Sequence, residues 1–170
     1  MGNKLETISI RLALDEDFET IYAIWLEGIE NSFDKKAADE QAVRQKFRSN
    51  FQERQGIFNY WVAVDVNRDI LGWQSLIRYS NNPFRQNTYA ESSTYIAKQT
   101  RTKGVGKLLL EYMLKEAEKS ELEYVIGFVS LTNVAARKIT EETGWIEVGI
   151  IPPPKKGDYI FPKSFLVRPV

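Results

Sequence analysis

AESSTYIAKQTRTKGVG, residues 90–106, decides how the chain is read. Residues 91–97 mix hydroxyl, aromatic and β-branched side chains and read as a strand. Arg101 and Lys103 follow, then Gly104 and Gly106 one residue apart. Beyond them Val105, Leu108, Leu109, Tyr112, Met113 and Ala117 fall at helical spacing, which predicts a helix over 105–120. A glycine turn lets the backbone approach a ligand closely. The unpaired N–H groups at a helix start, with the helix dipole, favour an anion there. Arg101, Lys103 and Lys107 add positive charge. The residues alone leave two readings open: a pyrophosphate cradle, or a glycine-relaxed turn with solvated lysines. Two nucleotide motifs are excluded. No G-x-x-x-x-G-K-[ST] spacing exists, and Leu109 stands where G-x-G-x-x-G needs its third glycine.

Working outward, residues 8–13 alternate and read as a strand. Asp15 is expected to cap a helix carrying Phe18, Ile21, Tyr22, Trp25 and Ile29. A more polar helix over 38–55 has Val43, Phe47 and Phe51 every four residues. Residues 59–66 and 70–79 read as a hairpin, with a polar loop over 80–87. After the glycine helix, 123–129 is a short β-rich run. Asn133 is expected to cap a helix that ends near Thr143, with Gly144 at its C′ position. Residues 145–151 and 159–167 close the chain as strands. The order β-α-α-β-β-β-α-β-α-β-β predicts an α/β chain with a mixed sheet, and residues 1–170 read as a single domain.

The bulk composition narrows the chemistry. Lys+Arg and Asp+Glu both number 23, so net charge gives no general attraction to nucleic acid or anionic membrane. Neither is expected as a partner. The chain has no cysteine and no histidine. Thiolate nucleophiles, Cys-zinc sites and Ser-His arrangements are therefore excluded, and no metal is expected. Acid–base work falls to Asp, Glu, Tyr, Lys or water. No apolar run has signal-peptide or membrane-span length, so the expected location is the cytoplasm.

Residues 101–106, RTKGVG, resemble the [RQ]-x-x-G-x-[GA] signature of the GNAT superfamily of N-acetyltransferases. AESSTYI before it and SLTNVAARKITEETGW (130–145) after it resemble the phosphinothricin/amino-acid branch. The resemblance covers nearly the whole chain. It implies the acyl-CoA N-acyltransferase fold, a mixed, mostly antiparallel central sheet flanked by helices, as one GNAT domain over 1–170. It implies acetyl-CoA as acetyl donor and a small-molecule primary amine as acceptor, an amino acid or an amino-acid-like antibiotic such as phosphinothricin. Thr94, Tyr95 and Ile96 would lie along the acetyl and pantetheine arm. Arg101, Thr102, Lys103, Gly104, Val105, Gly106 and Lys107 would surround the pyrophosphate, and Asn133 would bind the arm near sulfur. The same resemblance implies a homodimer, with Phe161 and Leu166 as candidates for a shared surface.

Glu91 occupies the glutamate position of the branch motif and is the candidate base. The chain departs from the superfamily at Thr140, where Tyr or His is common; a Thr hydroxyl is a poor acid for a thiolate. Tyr79, Tyr124 and Tyr159 are the other tyrosines considered. Glu141 and Glu142 read as solvated helix charges. The acceptor side is expected among Trp25, Glu27, Glu30, Phe33, Trp73, Phe84, Arg85 and Tyr159. Two alternatives stand beside this reading: a peptide acceptor, and a coenzyme-A-binding module without catalysis.

Overall fold

A computed structural model describes residues 7–29, 39–156 and 160–170. Glu30, Phe33 and Tyr159 lie outside them. The elements are β1 (Ser9–Leu12), α1 (Phe18–Ile29), α2 (Glu40–Gln52), β2 (Tyr60–Val64), β3 (Ile70–Arg78), β4 (Tyr89–Ile96), α3 (Val105–Glu118), β5 (Tyr124–Ser130), α4 (Val134–Glu142), β6 (Ile146–Ile151) and β7 (Lys163–Pro169). They follow the order expected from the sequence. The strands form a seven-stranded sheet in the order β1-β2-β3-β4-β5-β7-β6. Every neighbouring pair is antiparallel except β4 with β5.

Side-chain alternation along β2 and β3 sends apolar groups to both faces of the sheet. On one face, α1 and α2 deliver Phe18, Ile21, Tyr22 and Phe51 against Tyr60, Val62 and Trp73. On the other face, α3 delivers Leu110, Met113, Leu114 and Ala117 against Trp61, Leu76, Ala90 and Val125. The sheet over β1–β4 is thus covered twice. The outer wing is different: α4 has no buried residue, and β6 is exposed along its whole length.

The start of α1 corrects one expectation. Asp15 does not cap the helix; Asp15, Glu16 and Asp17 form a 3-10 turn before Phe18. The capping carboxylate is Asp17, which accepts from the Leu14 N–H at 2.7 Å and pairs with Arg11 at 2.6 Å. Asp15 instead pairs with Arg54 across the chain. Local acid content marks a helix start, but which carboxylate turns inward depends on where Arg11 of β1 sits. Asp39 caps α2 by accepting from Gln41 and Ala42 N–H groups. Asn133 caps α4, and Gly144 follows it at φ +81°, both as the sequence indicates.

Candidate active site

The parallel pair β4–β5 holds for three positions only: Tyr89 with Tyr124, Ala90 with Val125, and Glu91 with Ile126. β4 continues to Ile96 against β3, and β5 continues to Ser130 against β7. The sheet therefore opens between β4 and β5 immediately after Glu91.

The direction of the backbone along the open edge follows from two anchors. The Tyr79 N–H donates to the Tyr89 carbonyl, and the Ala97 N–H donates to the Leu71 carbonyl. Successive residues of a strand turn their N–H and C=O groups to opposite edges. Glu91, Ser93 and Tyr95 therefore face β3. Ser92, Thr94 and Ile96 turn their backbone groups to the β5 edge, where the Glu91–Ile126 rung uses the Ser92 N–H and the groups beyond it face the opening. Side chains alternate between the faces of the sheet. An added Cβ on Gly28 of α1 would lie 2.4 Å from the Tyr95 ring, so Tyr95, and with it Glu91, belongs to the α1 face. An added Cβ on Gly106 of α3 would lie 3.7 Å from Ile96, so Ile96, Thr94 and Ser92 belong to the α3 face.

Glu91 is half-buried, and burial pushes its carboxyl above the usual range, with the Lys163 charge pulling the other way. A carboxyl placed so is a proton acceptor poised closer to neutrality than an exposed one. Tyr95 stacks on Trp73 with ring centroids 4.9 Å apart. Burial raises its hydroxyl's pKa, a Trp25 hydrogen bond lowers it, and the Glu91 charge raises it again. Of the three residues expected along the donor arm, Thr94 and Ile96 offer backbone to the open edge. Tyr95 offers it neither backbone nor ring.

Gly104 stands at the head of α3 with φ +88°, a left-handed conformation that β-branched residues avoid. The first intrahelical bond runs from the Leu108 N–H to the Gly104 carbonyl. The N–H groups of Val105, Gly106 and Lys107 thus have no partner within the helix and point out of its start. Nothing in the folded chain crowds Gly106: a Cβ there meets only ordinary contacts. The glycine keeps room for an outside group rather than for the protein's own packing. Arg101 and Lys103 are exposed beside it. Lys107 is less free than its sequence position implies, since its ammonium pairs with Glu142 at 2.8 Å and lies 4.0 Å from Glu111. Glu142 is accordingly not a merely solvated charge; it ties α4 to the first turn of α3. These features fit a pyrophosphate: a glycine cradle, outward N–H groups and flanking cations.

Asn133 accepts from the Ala136 N–H through Oδ1 at 3.1 Å, so its side-chain oxygen is committed to the helix cap. The amide NH₂ remains the end able to meet a ligand. The Thr140 hydroxyl donates to the Arg137 carbonyl at 2.8 Å. It borders a cavity of about 150 Å³ walled by Arg137, Glu141, Trp145, Glu147, Ser164 and Leu166.

The acceptor-side candidates separate clearly. Trp25 is partly buried and packs on Tyr22 and Phe47. Trp73 is fully buried, with its indole N–H donated to the Ile21 carbonyl. Glu27 accepts from the Lys98 backbone N–H at 3.0 Å, fastening the end of β4 to α1. Phe84 and Arg85 lie on the loop between β3 and β4, with Phe84 92% exposed. Tyr124 packs edge-on against Tyr89 at the closed end of the β4–β5 pair. Tyr79 ends up half exposed just beyond β3. Sequence reasoning passed over Gly28, Gln74 and Lys163. Each becomes notable only through a neighbour distant in sequence, and no local motif marks it.

A seven-stranded mixed sheet that parts beside a glycine-headed helix is the architecture of the acyl-CoA N-acyltransferases. Residues 8–146 match the acetyltransferase (GNAT) domain family. Over 149 residues the chain is 30% identical to YwnH of Bacillus subtilis (strain 168), whose name carries a provisional phosphinothricin acetyltransferase assignment. That match covers 85% of this chain and 88% of the relative. A crystal structure with a provisional phosphinothricin N-acetyltransferase assignment superposes with a TM-score of 0.80 at 26% identity, over 96% of this chain and 98% of that one. The phosphinothricin acetyltransferase of Sinorhizobium meliloti, solved in complex with acetyl-CoA, shares the fold at a TM-score of 0.80 and 20% identity, over 96% and 89%. The chain belongs to the GNAT family and is an acetyl-CoA-dependent N-acetyltransferase. Among the described residues no cluster of metal-ligating side chains occurs, and no helix is long and apolar enough to cross a membrane.

Proposed function

We propose that the protein acetylates the primary amine of a small, amino-acid-like molecule, with Glu91 as the base. The observation that carries this reading is the position of Glu91: half-buried, at the last rung before β4 and β5 part, facing α1. The names of the relatives support the substrate class. Acetyl-CoA supplies the acetyl group as a thioester: the amine nitrogen gains the bond to the acetyl carbon, sulfur keeps the electron pair of the broken bond, and the surplus amine proton is left for the protein to take. Glu91 takes that proton. The backbone N–H groups of Thr94 and Ile96 face the open edge and suit negative charge on the carbonyl oxygen. Arg101, Thr102, Lys103, Gly104, Val105, Gly106 and Lys107 would hold the pyrophosphate, mainly through backbone N–H groups at the start of α3. The Asn133 amide NH₂ would meet the arm. The Tyr95 ring, lying on the α1 face, serves the acceptor side of the same opening.

Turnover of acetyl-CoA with a panel of amines, followed by release of free thiol, tests this. Turnover with amino-acid-like amines is expected. Binding of acetyl-CoA without turnover across the panel would sink it.

The assembly belongs to the same proposal. The face of β5, β7 and β6 opposite α4 carries exposed Phe128, Ile146 and Ile151, and this apolar surface supports a homodimer. Leu166 takes no part, because it is buried on the α4 side. Dependence on acetyl-CoA supports a cytoplasmic location.

A further inference from the structure

Gln74 lies in the middle of β3 with no exposed surface. Its side chain has three partners. Nε2 donates to the Ser75 carbonyl at 2.9 Å and to Ser92 Oγ at 2.8 Å. Oε1 accepts from Thr94 Oγ1. The Ser75 carbonyl can only accept, so the amide nitrogen has to face it. That constraint settles which end of the amide meets each hydroxyl.

A hydroxyl is ordinarily both donor and acceptor. Here the buried amide removes the choice. Ser92 Oγ accepts a hydrogen bond from the Gln74 amide and keeps its own O–H to donate elsewhere. Thr94 commits its O–H to Gln74 and keeps lone pairs to accept. Ser92 stands where the β4–β5 pairing ends and Thr94 beyond it, and both face α3. The row runs inward from Gly106 to Ile96, Thr94 and Ser92, and ends at the rung of Glu91 on the opposite face.

We propose that Gln74 is a positioning residue for acetyl transfer, fixing Thr94 as an acceptor and Ser92 as a donor along the open edge of β4. This rests on the reading that the donor arm lies along residues 92–96. The arm of coenzyme A carries secondary amide N–H groups, which an acceptor at Thr94 suits. Its inner end is sulfur, on which negative charge develops, and the Ser92 O–H suits that. Ser92 thereby supplies the stabilisation that Thr140, with its hydroxyl turned to the Arg137 carbonyl, does not.

The test titrates coenzyme A bound to the protein, following the thiolate by its ultraviolet absorbance, beside steady-state kinetics. Ser92→Ala is expected to raise the bound thiol's pKa by roughly a unit and to lower kcat about tenfold, with coenzyme A affinity within about twofold. Ser92→Thr keeps the hydroxyl and restores both. Gln74→Glu, which offers only acceptor oxygens once ionised, turns the Ser92 O–H inward and raises the thiol pKa as Ser92→Ala does. Added to Ser92→Ala it produces no further shift, whereas a purely structural Gln74 would act additively. If the Gln74 variant does not fold, the Ser92→Ala and Ser92→Thr pair decides alone. An unshifted thiol in Ser92→Ala, with coenzyme A affinity lost in Gly104→Val, overturns the polarity assignment and leaves the donor site standing. Retained affinity in Gly104→Val overturns the donor site, and this proposal with it.

Discussion

The two wings of the sheet are built to different standards. β1–β4 are packed on both faces, and Val62, Ala63, Leu76, Gln74 and Ala90 have no exposed surface at all. Among the described residues, β5, β7 and β6 have α4 on one face, with α3 reaching Val125 of β5, and no helix on the other, and β6 is exposed throughout. Three rungs join the wings, and the opening begins at the fourth. The difference shows how a sheet acquires a site. The well-packed wing holds β4 straight without help from β5, so the free edge of β4 keeps its hydrogen-bonding groups for a ligand. An edge like this elsewhere would invite another strand. Here the Glu27 carboxylate, the Gln74 amide and the Tyr95–Trp73 stack hold it in place.

The sharpest way to break this comparison is at the junction. Glu91→Gln is expected to lower kcat roughly 10²–10³-fold and to remove the acid limb of the pH profile, while acetyl-CoA affinity measured by calorimetry stays nearly intact. A collapse of affinity instead would make Glu91 a structural rung. Close behind comes the mouth of the opening. Gly104→Val forces a β-branched residue to φ +88° and crowds the cradle, and should weaken coenzyme A binding about 100-fold, close to 2.7 kcal/mol. Unchanged affinity would take the loop out of the site.

Smaller effects test the packed wing. A Cβ at Gly28 would lie 2.4 Å from a Tyr95 ring already stacked on Trp73, so the ring cannot simply swing away. Gly28→Ala should cost about 1–3 kcal/mol in denaturant unfolding. A cost near zero would show that the wing yields more easily than its packing implies. Glu91 also makes a stability prediction with a definite sign. Burial holds its folded-state pKa above the ordinary 4.5, so between those two values the folded chain binds more protons than the unfolded one. Stability therefore falls as pH rises through that window, and the full penalty stands above it. Glu91→Gln should raise Tm modestly at pH 7, and the gain should vanish below about pH 4. Asp17 has the opposite sign. Burial pushes its carboxyl up, but Arg11 and the Leu14 N–H bring it below 3.8 overall, so its contribution is present above that pH and is lost as pH falls.

The outer wing should be the least sensitive. Ile146 is 54% exposed, and Ile146→Glu should change the stability of one subunit by no more than about 0.5 kcal/mol. Light scattering on the same variant should show monomers. A dimer that survives the charge would move the assembly surface elsewhere.

Much of this was legible beforehand because it is local. Helical spacing marked α1, α2 and α3, and the cap Asn133 and the C′ glycine Gly144 act within a few residues of themselves. The RTKGVG loop was legible for the same reason, since a glycine turn at a helix start makes its own anion geometry. The helix cap at Asp15 was misread because the choice among three neighbouring carboxylates was made by Arg11 on another strand. Lys107 read as a free cation because Glu142 is 35 residues away. Leu166 read as a surface residue because alternation along a strand does not say which face a helix will cover.

By itself, then, the sequence determined the elements, their order, the anion-ready start of α3 and the exclusion of histidine and cysteine chemistry, all properties of short stretches or of composition. Tertiary structure alone decided where β4 and β5 part, that Glu91 ends the last rung, that Tyr95 turns to α1, and that Gln74 orders the hydroxyls of Ser92 and Thr94. Those outcomes depend on register and on which face each side chain meets. Register is fixed by the packing of whole wings against each other, which no single stretch of sequence carries.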